Sequence, residues 1–228
     1  MTTVAIVPAA GSGSRLGGRL PKQFRLVGGV PLVVRTLRVL AGAREIGGIL
    51  VAAAPESVEV TRRLLERYRI PRLLGVVPGG RERQESIWLA LQVVPARASL
   101  VVVHDAVRPF ITSSLVRRVI REARRHGAAV SGLPVVETVK LVRDALVEAT
   151  VDRHGLWLVQ TPQAFHRALL WEAHDKARSE GFKGTDDAAL VERLGVPVRM
   201  VVGLPENLKI TTAADLARAR IFAARAVR

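Results

Sequence analysis

Short apolar segments alternate with amphipathic segments along most of the chain. The apolar segments are rich in β-branched residues, as strands buried on both faces of a sheet usually are. The amphipathic segments carry apolar residues at helical spacing, and this alternation predicts an α/β fold in which helices flank a mostly parallel sheet. The predicted strands span residues 3–8, 48–53, 73–77, 99–104, 128–133 and 198–202.

The predicted helices lie between these strands, and several have recognisable ends. Thr112 or Ser113 can cap a helix that ends at Gly127, because glycine accepts the backbone conformation common at that position. Thr212 and Asp215 have the spacing of a capping box. The other predicted helices span residues 32–41, 57–68, 83–93, 166–179, 187–194 and 213 to the C-terminus.

Residues 134–158 break this alternation. Two stretches of alternating residues, 135–142 and 146–151, flank a short turn and predict a β-hairpin. A hairpin cannot easily join a parallel sheet at this point, so we expect it to project as an arm that packs against a second copy of the chain. An antiparallel edge added to the main sheet is the alternative. Apart from this excursion, the pattern predicts one domain over residues 1–228.

The composition excludes several classes of protein. Apolar residues make up 49% of the chain, which argues against disorder, and the absence of cysteine rules out disulfides and thiolate chemistry. The N-terminus does not have the pattern of a secretion signal, and no apolar stretch approaches the roughly 18 residues that cross a membrane. We therefore expect a soluble, cytoplasmic protein that does not associate with membranes.

The net charge of +15 raises the question of nucleic-acid binding. Most of the basic residues are arginines that punctuate helical patterns as a solvated face does, for example Arg117, Arg121 and Arg124. Only 4% of the residues are aromatic, and no basic run is interleaved with rings that could stack on bases. We expect no nucleic-acid partner, and we look for chemistry at the few lysines and at the arginines outside helices.

The first loop, residues 8–24, is the strongest candidate for a ligand site. It follows the first predicted strand and reads PAAGSGSRLGGRLPKQF. Gly11 and Gly13 allow a sharp turn that brings backbone N–H groups to an anion, while Arg15 and Lys22 add two cations. The loop matches neither the dinucleotide fingerprint nor the P-loop. We interpret it as a cradle for a nucleoside triphosphate, with a glycine-rich connector as the alternative.

Polar residues also follow other predicted strands, at the sheet edge where open α/β folds bind ligands. Residues 78–86, PGGRERQES, open a helix and could recognise a base through backbone groups and Ser86. Asp105 follows the strand at 99–104 and could hold a divalent cation near a polyphosphate. An ion pair between Asp105 and Arg108 is the alternative, and the two are compatible. We expect His104 to be structural.

Two later polar segments, residues 158–165 and 184–188, read as loops that could hold a substrate hydroxyl or phosphate. Thr161 and Asp186 fit equally well as helix caps. Lys209 stands in a predicted short strand near the C-terminus, where a lone lysine usually faces solvent. Lys209 is a candidate site residue only because of the motifs around it.

Five blocks of sequence together carry a resemblance to a known family. They are AAGSGSRLGGRLPKQF, HDAVRPF, DRHGLWLVQTPQAF, TDDA and ENLKITT, in this order across nearly the whole chain. They resemble the blocks of the 2-C-methyl-D-erythritol 4-phosphate cytidylyltransferases of non-mevalonate isoprenoid biosynthesis. The resemblance implies a Rossmann-like sheet and a magnesium-dependent reaction of CTP with methylerythritol phosphate. It also implies a homodimer in which the hairpin arm reaches the neighbour's active site.

The resemblance assigns roles to individual residues. Arg15 and Lys22 would stabilise charge on the α-phosphate of CTP, while Arg153, on the arm, and Lys209 would position methylerythritol phosphate for in-line attack. Asp105, the candidate magnesium ligand, belongs with the substrate-binding residues. The remaining substrate contacts would be Arg108, Thr138, Thr161 and Thr185, and those to the cytidine Ala9, Ala10, Gly11, Ser12, Gly13, Gly80 and Ser86.

Two features set limits on the resemblance. Arg81 stands where family members often carry an acidic or small residue, so we expect contacts to the cytosine there to come from the backbone. Ribitol-5-phosphate cytidylyltransferases share blocks similar to HDAVRPF and TPQ, which leaves ribitol phosphate or another sugar phosphate as the alternative acceptor. In either reaction the acceptor phosphate is already anionic and needs no general base, so the expected task of the protein is to neutralise and align two polyanions.

Overall fold

The computed structural model describes residues 2–11 and 20–225, which form a seven-stranded mixed sheet with helices on both faces. Short 3-10 turns lie at Lys22–Phe24 and Pro55–Ser57. In chain order the strands and helices are β1 (Thr2–Ala9), β2 (Leu26–Val27), β3 (Val30–Pro31), α1 (Leu32–Gly42), β4 (Ile46–Ala53), α2 (Val58–Arg67), β5 (Leu73–Pro78), α3 (Arg83–Gln92), β6 (Ala98–Val103), α4 (Ser113–His126), β7 (Ala128–Pro134), β8 (Val139–Arg143), β9 (Leu146–Val151), β10 (Trp157–His166), α5 (Arg167–Ser179), α6 (Asp187–Glu192), β11 (Arg199–Val202) and α7 (Ala213–Arg225).

The sheet has the strand order β11-β7-β10-β6-β1-β4-β5, and its pairs are parallel except for those of β10. The six strands and seven helices given by residue ranges above are confirmed over the described residues, with ends that agree to within two residues. The predicted caps are also present. Thr112 accepts a hydrogen bond from the Leu115 N–H, and Gly127 follows α4 with a φ of 89°. The hydroxyl of Thr212 and the carboxylate of Asp215 form a reciprocal capping box.

Two apolar layers cover the sheet, and alternate residues of each strand face opposite layers. In β1, Ala5 and Val7 pack with α1, α2 and α4, whereas Val4 and Ile6 pack with α3, α5 and α6. Strands buried on both faces read as continuous apolar runs, which is why their sequence pattern is clear. A smaller cluster joins α7 to the β2–β3 hairpin. No helix in the described ranges has the length and apolar character needed to cross a bilayer.

Strand β10 corrects the prediction that residues 158–165 form a loop. It runs antiparallel between β6 and β7, in the interior of the sheet. Proline and polar residues usually argue against a central strand. Here the register shifts between Gln160 and Gln163, beside the cis peptide bond of Thr161–Pro162, and the polar side chains bind across to other segments. The Gln163 amide donates to Asp186, and Gln160 donates to the Leu204 carbonyl.

The predicted β-hairpin is confirmed as β8 and β9, which pair with each other in a separate two-stranded sheet. Asp144 and Ala145 in its turn both have positive φ, as tight hairpin turns require. The hairpin is not an antiparallel edge of the main sheet, so that alternative is wrong. The division of the chain into one domain with a dimerisation arm at residues 134–158 stays a prediction.

The order of the strands places a ligand site at the carboxyl ends of β1 and β6. The chain winds outward from β1 through β4 to β5 and then returns to β6, on the other side of β1. Ligands of open α/β sheets bind at such reversals of strand order. The His104 N–H donates to the Ile6 carbonyl, so the segment that follows β6 stays beside β1. Residues 9–11 and 104–105 therefore meet at the candidate site.

Candidate active site

The segments after β1, β5 and β6 enclose a cavity of about 170 Å³. Lys22, from the 3-10 turn, lies in its wall. Ser12, Gly13 and Arg15 lie outside the described residues, and their roles stay predictions. The cavity lining includes the described residues that the sequence assigns to the cytidine, namely Ala9, Ala10, Gly11, Gly80 and Ser86.

Gly79 and Gly80 let the loop after β5 approach its neighbours closely. A Cβ on Gly79 would lie 2.8 Å from Ser86 Oγ and 2.9 Å from the Cβ of Ala10, closer than real contacts allow. The Gly80 N–H donates to Ser86 Oγ over 3.0 Å, and this hydroxyl donates to the Glu82 carbonyl over 2.9 Å. Ser86 therefore shapes the loop that lines the cavity, and its predicted contact with cytidine stays a prediction.

Asp105 contacts three cationic side chains beside this cavity. Its Oδ2 lies 3.0 Å from Lys209 Nζ and 3.5 Å from Arg108 Nε, while its Oδ1 lies 3.3 Å from Arg83 Nε. Burial by itself raises the pKa of the Asp105 carboxyl, but Arg83, Lys209 and Arg108 together hold that pKa well below its ordinary value. The predicted ion pair with Arg108 is confirmed, and it is one of three. The cluster keeps an excess of positive charge, which suits polyanionic substrates.

Arg83 is absent from the site residues predicted from sequence. Besides its contact with Asp105, its NH1 lies 2.8 Å from Asp187 Oδ2, so the guanidinium bridges the segment after β6 and the start of α6. Burial lowers the pKa of Arg83, but the two carboxylates raise it above its ordinary value. One signal was available in the sequence. A cation in the first turn of a helix opposes the helix dipole and therefore needs a carboxylate partner.

His104 and Thr161 form a buried link between β6 and β10. His104 Nε2 lies 3.2 Å from the Arg108 carbonyl, which can only accept, so Nε2 carries the proton. Thr161 then donates to Nδ1 over 2.9 Å and accepts from the Asp105 N–H over 3.1 Å. Burial lowers the pKa of His104 to about 4, which keeps the ring neutral near pH 7. The structural role predicted for His104 is confirmed, and the Thr161 hydroxyl serves the same link rather than a helix cap.

A second cavity, of about 430 Å³, adjoins the first. The two cavities share Arg83, Asp105 and Lys209, which therefore form the boundary between them. Three of the residues that the sequence assigns to the acceptor line only the second cavity. They are Arg108, Thr161 and Thr185.

Lys209 reaches this boundary from an irregular segment, which corrects the prediction of a short strand. Residues 203–211 form no strand, although the Gly203 N–H donates to the Gly132 carbonyl of β7. The buried Asn207 side chain instead donates to Gln160 and to the Thr161 carbonyl, and Ile210 N–H donates to the Val107 carbonyl. These tertiary bonds place Lys209 beside Asp105.

Thr138 and Arg153 lie on the exposed arm. Neither residue lines either of the two cavities described above. The Arg153 guanidinium donates to the Val136 carbonyl, within the arm.

The candidate metal ligand is Asp105. Residues 2–11 and 20–225 contain no group of three or more histidine or acidic side chains that could hold a metal ion by themselves. Magnesium commonly takes one or two carboxylates and completes its shell with phosphate oxygens and water. The ionised Asp105, at the boundary of the two cavities, could supply one such carboxylate, although its oxygens already contact Arg83, Arg108 and Lys209.

A mostly parallel sheet with a glycine-lined cavity at its switch point, next to clustered cations, is the arrangement expected of a nucleotidyltransferase of the α/β class. The family profile described as 2-C-methyl-D-erythritol 4-phosphate cytidylyltransferase matches residues 3–225, and the chain belongs to this family.

The chain is similar to members of this family over nearly its full length. The protein of that name from Syntrophus aciditrophicus is 46% identical over 221 residues, which are 96% of this chain and 94% of that relative. The one from Symbiobacterium thermophilum is 46% identical over 95% of this chain and 91% of the relative. The crystal structure of the Thermus thermophilus protein has a TM-score of 0.80 and 38% identity, and the match covers 98% of this chain and 100% of that one. The family and fold expected from the five sequence blocks are confirmed.

Proposed function

We propose that the chain joins CTP and 2-C-methyl-D-erythritol 4-phosphate to give 4-diphosphocytidyl-2-C-methyl-D-erythritol and pyrophosphate, a reaction of non-mevalonate isoprenoid biosynthesis. The observation that carries the proposal is the pair of cavities that share Arg83, Asp105 and Lys209. The glycine-lined cavity suits the nucleotide, and the more polar cavity suits a phosphorylated polyol. Two substrates in these positions would meet at the cations.

The protein residues stabilise charge and align the reactants. An oxygen of the acceptor phosphate forms the new bond to the α-phosphorus of CTP as the bond to the bridging oxygen breaks, and pyrophosphate leaves with that electron pair. Lys22 and Arg15 stabilise the charge that develops at the α-phosphate, while Lys209 holds the acceptor phosphate. Cations that are already in place cost no reorganisation during the reaction, which makes such stabilisation effective.

Magnesium, when bound, would neutralise charge on the triphosphate, with Asp105 as its protein ligand. The support for this assignment is the ionised state of Asp105 and its place between the cavities. Arg83 and Arg108 keep the carboxylate oriented and ionised. Both substrates carry phosphate charges that prevent passage through a bilayer, so we place the reaction in the cytoplasm.

We also infer that the protein acts as a homodimer in which the arm completes the site of the partner. Thr138 and Arg153, the predicted acceptor contacts on the arm, are exposed. The arm also carries large apolar side chains that are open to solvent, with Val136 71% and Leu146 72% exposed. A two-stranded hairpin needs a surface to pack on, and a second copy would supply both the surface and a cavity for Arg153.

The first test is pyrophosphate release from CTP in the presence of magnesium. We expect release with methylerythritol 4-phosphate and none with ribitol 5-phosphate or without an acceptor. Release with ribitol 5-phosphate alone would keep the nucleotide site and change the acceptor. Absence of release with every acceptor would contradict the proposed function. Omission of magnesium, with chelator added, should abolish turnover while the fold, followed by circular dichroism, persists.

A further inference from the structure

A chain of polar contacts runs from the buried side of α5 to the boundary of the two cavities. His174 Nε2 lies 3.0 Å from Asp187 Oδ1, and the other carboxylate oxygen of Asp187 lies 2.8 Å from Arg83 NH1. Arg83 Nε continues the chain to Asp105 Oδ1 over 3.3 Å. The residues come from α5, α6, α3 and the segment after β6, so the chain depends on the tertiary fold.

The inner half of this chain is buried. The side chains of His174 and Asp187 are 0% and 1% exposed. Burial by itself raises the pKa of Asp187, but Arg83 and the hydrogen bond from His174 hold that pKa below its ordinary value. A buried ion pair contributes little net stability, because desolvation offsets the attraction and apolar residues of similar volume often serve as well. Stability alone therefore does not explain why a charged carboxylate lies here.

The arrangement restricts the orientation of Arg83. Two different nitrogens of its guanidinium contact two carboxylates on separate elements, which fixes the plane of the group as well as its position. Asp187 is itself fixed at its second oxygen by His174. The His174 ring stacks on Trp88 with a centroid distance of 6.3 Å and an interplanar angle of 18°, so the ring that anchors Asp187 is also held.

We propose that His174 and Asp187 are positioning residues that orient Arg83 at the boundary of the two cavities. Arg83 in turn holds Asp105 and presents a cation where the α-phosphate and the acceptor phosphate would meet. The inference rests on the proposed function for its catalytic consequence, but the orientation of Arg83 can be tested without turnover.

The first experiment compares two substitutions at the same buried position. His174→Phe keeps a planar ring against Trp88 and removes the donor to Asp187, whereas His174→Gln keeps an N–H that can reach the carboxylate. We expect His174→Phe to lower kcat about tenfold, with the KM for CTP changed by less than about twofold, because supporting contacts typically contribute this much. His174→Gln should recover most of the lost rate. Equal kcat values for the two variants, at equal folded fraction, would overturn the proposal.

A double-mutant cycle separates positioning from a general effect on packing. We expect Arg83→Met to lower kcat about a hundredfold by removing a cation at the reacting phosphates. If His174 acts through Arg83, His174→Phe should have little further effect in the Arg83→Met background, because the group that it positions is absent. Full additivity of the two losses would contradict the proposed coupling. The wild-type rate in the same assay reports separately on the proposed function.

The third experiment follows the guanidinium directly and requires no turnover. The Nε–H resonance of Arg83 in a ¹⁵N NMR spectrum, assigned by its absence in Arg83→Lys, should be protected from exchange in the wild type and in His174→Gln. In His174→Phe we expect it to exchange at least about tenfold faster, because an unanchored carboxylate orients its partner less well. Unchanged protection in His174→Phe would overturn the inference even if the enzyme proves active. If protection is lost in His174→Phe but the wild type is inactive, the inference is retained and the proposed function is rejected.

Discussion

Single residues at the site act mainly through charge and burial. Asp105 stays ionised because three cations outweigh the cost of its burial. His104 stays neutral because burial outweighs the attraction of Asp105 and the hydrogen bond to the Arg108 carbonyl. Lys22 lies in the wall of the nucleotide cavity, close enough to Gly11 that a Cβ there would meet its Nζ at 3.5 Å. These environments lead to two predictions at the residue scale.

Lys22→Ala should remove a stabilising cation at the α-phosphate while the fold survives. We expect kcat to fall by on the order of 100- to 1000-fold, or roughly 3 to 4 kcal/mol of transition-state stabilisation. Steady-state pyrophosphate release measures the loss, and circular dichroism checks the fold. Lys176→Ala, on the exposed face of α5, is the control and should have the turnover of the wild type. Normal turnover of Lys22→Ala would reject its catalytic assignment.

His104 should make the protein less stable in mild acid. Its pKa is 6.5 as a reference and about 4 in the fold, so below pH 6.5 the unfolded chain binds a proton that the folded chain does not. The free energy of unfolding should therefore fall as the pH drops from 6.5 to 4, by up to about 3 kcal/mol from this group. Denaturant titrations at several pH values measure the slope.

Two substitutions check this assignment. His104→Gln can serve both hydrogen bonds without titrating, and its stability should depend less on pH over this range. His126→Gln, which alters an exposed histidine on α4, should keep the slope of the wild type. An unchanged slope in His104→Gln would show that another group causes the pH dependence.

The elements around the site are held together by close backbone approach and by buried polar contacts. The loop after β5 meets Ala10 and Ser86 at Gly79, and β10 enters the sheet because Gln160, Thr161 and Gln163 find partners there. The first feature could be anticipated from the Gly-Gly pair after a strand. The second could not, because the apolar pattern of a central strand is interrupted by residues whose partners lie far away in sequence.

Gly79→Ala should disturb the loop after β5, which lines the first cavity. The new Cβ would lie within 3 Å of both Ser86 Oγ and the Cβ of Ala10, so the loop must shift. We expect a loss of about 1 to 3 kcal/mol in the free energy of unfolding, as overpacking usually causes, and a KM for CTP raised about tenfold. Gly75→Ala, in strand β5 just before this loop, is the control, because its Cβ would meet nothing within 4 Å. Equal KM values for the two variants would argue against a role of this loop in CTP binding.

On the scale of the whole molecule, the proposed dimer would bring the arm of one chain to the site of the other. The cavities lie at the carboxyl ends of β1, β5 and β6, whereas the arm leaves the sheet after β7 and returns at β10. In the proposed dimer, a site that needs Arg153 together with Lys22 would combine two chains. This geometry predicts complementation between inactive variants.

Lys22→Ala and Arg153→Ala should each be nearly inactive as homodimers. When the two are refolded together, half of the dimers should be mixed, and one of the two sites in each mixed dimer has both residues intact. We expect about a quarter of the wild-type activity in the mixture, as two-fold symmetry requires. Lys22→Ala refolded with Lys209→Ala is the control and should stay inactive, because both residues belong to the same chain's site. Lack of recovery in the first mixture would contradict a shared site.

The sequence by itself determined the strands and helices of the main sheet except β10, the helix caps, the hairpin and, through five blocks, the family. These features depend on local periodicity, on turn residues and on motifs that are contiguous in the chain. The tertiary structure alone decided the antiparallel place of β10, the irregular path to Lys209 and the contacts that join Arg83 to Asp105, Asp187 and His174. These contacts link residues that are distant along the chain. A local sequence pattern does not indicate which buried charges the packing of the elements brings together.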